Sequence, residues 1–103
     1  MQKKYLFEVS TPIGLKIRTT QDYWNLIQAK HPEVKGKLLL IKQTLKMPDS
    51  VTKSKIDKSA LLFYRKINGY WLCVVTKANV LDGFIITAYI TDKIKEGAMI
   101  WEN

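Results

Sequence analysis

The dipeptide Asn68-Gly69 stands between two strand-like runs, Ala-Leu-Leu-Phe-Tyr-Arg-Lys at 60–66 and Tyr-Trp-Leu-Cys-Val-Val-Thr-Lys at 70–77. Both runs are rich in β-branched and aromatic residues. Asn-Gly accepts the two positive φ angles of a tight hairpin turn, so residues 60–77 are predicted to fold back on themselves as antiparallel strands. A hairpin with this much apolar surface on both faces must be covered, which demands further strands beside it and a layer against it.

The rest of the chain supplies both. Residues 5–9 alternate Tyr5, Phe7 and Val9 against Leu6 and Glu8; Thr11-Pro12-Ile13-Gly14 reads as a turn, and residues 15–18 alternate again, which makes a first hairpin. Thr19-Thr20-Gln21-Asp22 offers N-cap chemistry, and Tyr23, Trp24 and Ile27 recur at helical spacing until His31-Pro32 stops the helix. Pro32 is read as the first residue of a second helix, with Val34, Leu38, Ile41 and Leu45 as its apolar stripe and Lys35, Lys37, Lys42 and Lys46 on its other face. After Met47-Pro48-Asp49, strands are expected at 51–55, 60–66, 70–77 and 84–90, with a turn over 80–83. The expected class is α+β in the order ββααββββ: two N-terminal helices packed on an antiparallel β-meander, one domain over 1–103.

Seventeen Lys and Arg against nine Asp and Glu leave a formal charge of +8, which favours an anionic partner. The amino end lacks a sustained apolar stretch and no run approaches a membrane span, so a soluble, cytoplasmic protein is expected. Cys73, the single cysteine, sits in an apolar run and is read as core. One histidine, one cysteine and scattered carboxylates form no ligand cluster, and there is no Gly-rich phosphate loop or nucleophile elbow; neither metal nor cofactor is expected.

Strand periodicity narrows where chemistry could lie. In 84–91, Phe84, Ile86, Ala88 and Ile90 are assigned to the core, and Ile85, Thr87, Tyr89 and Thr91 to the opposite face. Leu62, Tyr64 and Lys66 oppose Leu61, Phe63 and Arg65, and the short basic strand turns Lys53 and Lys55 one way and Ser54 the other. Lysines interleaved with tyrosines suit single-stranded RNA, since cations meet phosphates and rings stack bases. His31 at a helix end suits proton transfer, because that position favours an imidazolium.

His31-Pro32-Glu33, Met47-Pro48-Asp49, Leu62-Phe63-Tyr64-Arg65, the run 71–77, and Gly83 to Tyr89 followed by Thr91-Asp92-Lys93-Ile94-Lys95 together form a pattern that covers most of the chain. It resembles the phage- and mobile-element-associated branch of the barnase/EndoU/colicin/RelE-like nuclease superfamily. The resemblance implies two helices on a curved antiparallel sheet, metal-independent ribonuclease activity, and a role as a toxin. It points to His31, Tyr64, Arg65, Thr87 and Tyr89, with Lys53 and Ser54, as site positions. The expected reaction is cleavage of RNA, either tRNA or mRNA, through a 2′,3′-cyclic phosphate. His31 would serve as base or acid, Lys53 and Arg65 as charge stabilisers, and Thr87 and Tyr89 as orienting groups. Lys35, Lys42, Lys46, Ser54, Lys55, Tyr64, Lys66 and Lys93 are the expected nucleic-acid contacts, and an acidic antitoxin or immunity protein the expected protein partner. The alternative is a non-catalytic RNA-binding module or an inactive nuclease relative using the same lysines.

Overall fold

The structure, a computed structural model, describes residues 4–79 and 82–103. The leading residues 1–3 and the first half of the turn expected over 80–83 lie outside the described residues. Seven strands form one sheet: β1 (Phe7–Ser10), β2 (Lys16–Thr19), β3 (Ser50–Ser54), β4 (Ala60–Ile67), β5 (Tyr70–Ala78), β6 (Asp82–Thr91) and β7 (Gly97–Glu102), in the spatial order β1-β2-β6-β5-β4-β3-β7. Two helices, α1 (Gln21–Lys30) and α2 (Leu38–Lys46), lie between β2 and β3 in sequence. No helix among the described residues is long and apolar enough to cross a membrane.

The central hairpin forms as its sequence dictates. Asn68 and Gly69 take φ angles of 44° and 86°, and eight residues of β4 pair with eight of β5, from Ala60 opposite Lys77 to Ile67 opposite Tyr70. Thr20 caps α1 by accepting the Tyr23 N–H at 3.2 Å, and His31 closes the helix with its own N–H on the Ile27 carbonyl at 2.8 Å. Trp24 and Ile27 of α1 with Ile41 and Leu45 of α2 pack on Val51, Phe63, Leu72, Val74 and Ala88 of the sheet, forming the main core.

Four expectations are corrected. The second helix begins at Leu38 rather than Pro32: residues Pro32–Val34 make a single 3₁₀ turn, and Gly36 at φ 75° takes a left-handed conformation that no helix continues through. The strand count is seven, because Gly97–Glu102 pairs with β3 as an edge strand whose exposed residues carry no clear alternation. The sheet is mixed, since β2 runs parallel to β6 where Arg18 meets Phe84. Asp82 and Gly83, expected in a turn, already belong to β6.

Reaching β7 from β6 requires the chain to pass β5, β4 and β3, about four strand spacings or roughly 19 Å on a flat sheet. Only residues 92–96 are available, with an extended reach of roughly 20 Å, and the path also runs diagonally from the Trp71 end of the sheet to the Ser54 end. The sheet must therefore curl toward the crossing segment. The Lys95 N–H donates to the Tyr64 hydroxyl at 3.1 Å, which places the crossing on the face opposite the helices and makes that face the concave one.

Gly83 fits where β6 meets β2 and β5 because it has no side chain: a Cβ there would sit 2.8 Å from both Ile17 Cδ1 and the Lys77 carbonyl oxygen. Gly83→Ala is expected to cost about 1–3 kcal/mol. Thermal unfolding should show a fall of roughly 4–8 °C for each kcal/mol lost; an unchanged midpoint would contradict this packing.

Candidate active site

Pairing register assigns side chains to faces, since directly opposed residues point the same way. Opposite one another stand Tyr64 and Cys73, Cys73 and Tyr89, Val75 and Thr87, and Trp71 and Thr91. These residues occupy the concave face, where Leu62, Tyr64 and Cys73 form a second buried cluster flanked by Trp71, Val75 and Tyr89. Thr87, Tyr89 and Thr91 therefore share the face expected for them. Phe84 and Ile85 are exchanged relative to expectation: Val75 pairs with Thr87 but Thr76 with Ile85, so Ile86 is an extra bulged residue that inverts the alternation. Ile85 is buried in the main core and Phe84 is 50% exposed.

His31 reaches this face around the edge of β6. Beyond Phe84, β6 has no strand partner on the β2 side among the described residues, and the end of α1 with the 3₁₀ turn packs there. The imidazole centroid lies 6.0 Å from that of Tyr89, and His31 Nδ1 is 3.5 Å from Glu33 Oε2. Its side chain is about one-third exposed, at 32%, so a substrate can reach it. From the crossing segment, Lys95 Nζ stands 5.5 Å from the centre of the same Tyr89 ring. The Thr87 Oγ1 and Tyr89 hydroxyl have no accessible surface, so they lie beneath the site rather than open to a substrate.

Burial, with the Cys73 thiol and Tyr64 phenol alongside, holds the Tyr89 phenol far above the ordinary phenol range, so it stays a hydrogen-bond donor. Burial likewise pushes the Cys73 thiol up to about 11 and the Tyr64 phenol up to about 12. The chemistry on offer is an accessible imidazole beside a carboxylate and a nearby ammonium, over two buried hydroxyls. Among the described residues no group of three or more His, Cys, Asp or Glu is placed to hold a metal ion.

The other expected positions are dispersed. Lys53 opposes Leu61 and Ala98, and Arg65 opposes Leu72, so both belong to the helix side of the sheet. Arg65 is committed there: its guanidinium donates to the Met47 carbonyl at 2.8 Å and caps the C-terminus of α2. His31, Thr87 and Tyr89 come together, whereas Lys53 and Arg65 do not join them. Tyr64, expected to stack a base, is fully buried and instead anchors Lys95. Ser54 Oγ accepts the Ile56 and Asp57 N–H groups at 3.2 Å each and shapes a turn. Lys55 pairs with Glu96 at 3.2 Å, and Lys66 Nζ stands 5.8 Å over the Trp71 ring. Lys93 follows β6 and is exposed; its N–H and carbonyl both engage the Thr91 hydroxyl. Lys35 ends the 3₁₀ turn, Lys42 lies 5.7 Å from the Phe7 ring centre, and Lys46 closes α2; the latter two belong to the helix layer.

Sequence reasoning passed over Glu33 and Lys95. The adjacency His31-Pro32-Glu33 could have marked the first, whereas Lys95 enters only because the chain crosses the sheet there. A scan against protein-family models, a search of curated proteins and a search of solved structures each found no match.

The buried thiol sets an alkaline limit. Unfolded, Cys73 ionises near pH 9; folded, it holds its proton to about pH 11, so between these values the native state binds more protons and stability falls as pH rises. The expected slope is about 1.4 kcal/mol per pH unit for this group, with Tyr64 adding to the loss from pH 10 to 12. Denaturant titrations from pH 8 to 11 on the native chain and Cys73→Ala should show the fall above pH 9 markedly flattened in the variant. Equal slopes would contradict burial of the thiol.

Proposed function

We propose that this protein is a metal-independent endoribonuclease, acting as a cytoplasmic toxin of a toxin–antitoxin or mobile-element system and belonging with the barnase/EndoU/colicin/RelE-like nucleases. The observation that carries the reading is the gathering of His31, with Glu33 beside it, and Lys95 about the Tyr89 ring on the concave sheet face of a +8 protein. His31, oriented by Glu33, takes the proton of a ribose 2′-hydroxyl. The 2′-oxygen–phosphorus bond forms as the phosphorus–5′-oxygen bond breaks, leaving a 2′,3′-cyclic phosphate. Thr87 and the Tyr89 ring form the floor on which the phosphate is oriented, and the Lys95 ammonium answers the charge that builds on the phosphorane and supplies the proton for the departing 5′-oxygen. Lys95 takes the role that the sequence reading gave to Lys53 and Arg65. A toxin of this kind requires an acidic inhibitor whose carboxylates cover the same concave face.

Incubation with tRNA, mRNA and total RNA in EDTA should yield products ending in 2′,3′-cyclic phosphate. His31→Ala should lower kcat by about 10²- to 10⁴-fold. Arg65→Ala should leave kcat nearly intact while lowering the unfolding temperature, because that side chain holds a helix end. Absence of cleavage of every RNA by folded protein removes the enzyme reading. If RNA is then still bound with steep salt dependence, a non-catalytic binding module is the better description.

A further inference from the structure

The second place where this molecule has unused binding chemistry is a cavity of about 460 Å³ at the other end of β6, bordered by Tyr5, Arg18, Thr19, Tyr23, Asp82 and Phe84. Its three aromatic rings come from the segment before β1, the first turn of α1 and the start of β6, and they remain 40%, 36% and 50% exposed. A fold gains little by gathering three large rings and leaving them wet, whereas a planar ligand gains a stacking surface. Arg18 organises the site. Its guanidinium lies 5.0 Å from the Tyr5 ring centre, donates to the Tyr5 hydroxyl at 3.2 Å, and is 2.8 Å from Asp82 Oδ2 and 3.6 Å from Glu8 Oε2. Two carboxylates answer that one cation, so the cavity is poorly suited to a phosphate and well suited to a neutral ring. Asp82, more than half exposed at 57%, keeps acceptor capacity for a ring N–H.

We infer that this cavity receives an unpaired nucleobase, stacked among Tyr5, Tyr23 and Phe84 with its polar edge toward Asp82. Aromatic rings with a few hydrogen-bonding groups are what base recognition in single strands uses. The bulge at Ile86 turns Phe84 onto the same face as Thr87 and Tyr89, so one strand carries both places. Phe84 and Tyr89 are separated by roughly 16 Å at about 3.3 Å per residue, a span that a few nucleotides of extended RNA cover. The cavity's chemistry stands by itself; its position on the path of a cleaved strand rests on the proposed ribonuclease reading.

The test uses short 2′-O-methyl oligonucleotides, which cannot be cleaved through the 2′-oxygen, each carrying one fluorescent 2-aminopurine. Native protein should quench the emission of at least one labelled position. Phe84→Ala and Tyr23→Ala, both at exposed positions, should raise the protein concentration for half-quenching by about five- to a hundred-fold. Ile56→Ala, at a 97% exposed position outside both places, should leave it unchanged. Competition by free 2-aminopurine riboside monophosphate identifies a cavity that takes the base alone; oligonucleotide binding without such competition identifies one that needs the strand, and either supports the assignment. No quenching, or quenching that both folded variants preserve, overturns it. A protein that cleaves RNA but fails this test loses only the cavity, and one that passes it but never cleaves RNA loses only the nuclease reading.

Discussion

The pairing of β4 with β5 organises this molecule, because those two strands lie in the middle of the sheet and are buried on both faces. Phe63, Leu72 and Val74 press against the helices, while Leu62, Tyr64 and Cys73 press the other way. Each fully buried side chain of this size contributes about 1.5–3 kcal/mol, so neither face can be left to water. The two faces are covered very differently. Among the described residues, two helices close the first, and the short segment crossing from β6 to β7 closes the second. That short crossing curls the sheet toward it and brings Lys95 over the Tyr89 ring. The candidate site is a consequence of how sparingly the concave face is covered.

Its composition follows from where β6 loses its neighbour. The parallel pairing with β2 ends at Phe84, and the vacant edge beyond is occupied by the end of α1 and the 3₁₀ turn. Pro32 prevents His31 from continuing the helix and leaves it outside helical geometry, at φ −128° and ψ 77°. Helix termination thus delivers the imidazole to the one sheet edge from which it can meet Tyr89. The same strand, through the bulge at Ile86, turns Phe84 out of the core toward the aromatic cavity.

Charge is spread over the molecule and has no single focus. Lys55 with Glu96 and Lys77 with Asp57 are exposed pairs, which contribute little to stability. The lysines of α2 sit in the helix layer and Lys95 on the concave side. The excess of +8 therefore acts as a general field for polyanions, while the chemistry depends on the few groups that geometry collects.

What the residues alone determined is local. Asn-Gly with its flanking runs fixed the central hairpin, Thr20 and His31-Pro32 bounded α1, and alternation placed Thr87 and Tyr89 on one face, because turn chemistry, capping and the two-residue period act over a few positions. The start of α2 was misjudged where Gly36 breaks the helix, and the face of Phe84 where one extra residue inverts the period. Only tertiary structure decided the parallel β2–β6 pair, the edge strand β7, the placing of Lys95 beside Tyr89, and the removal of Lys53 and Arg65 to the helix side. Those depend on which distant segments lie side by side, and strand neighbours and crossing paths are set by long-range burial, which leaves no periodic trace in any one stretch of chain.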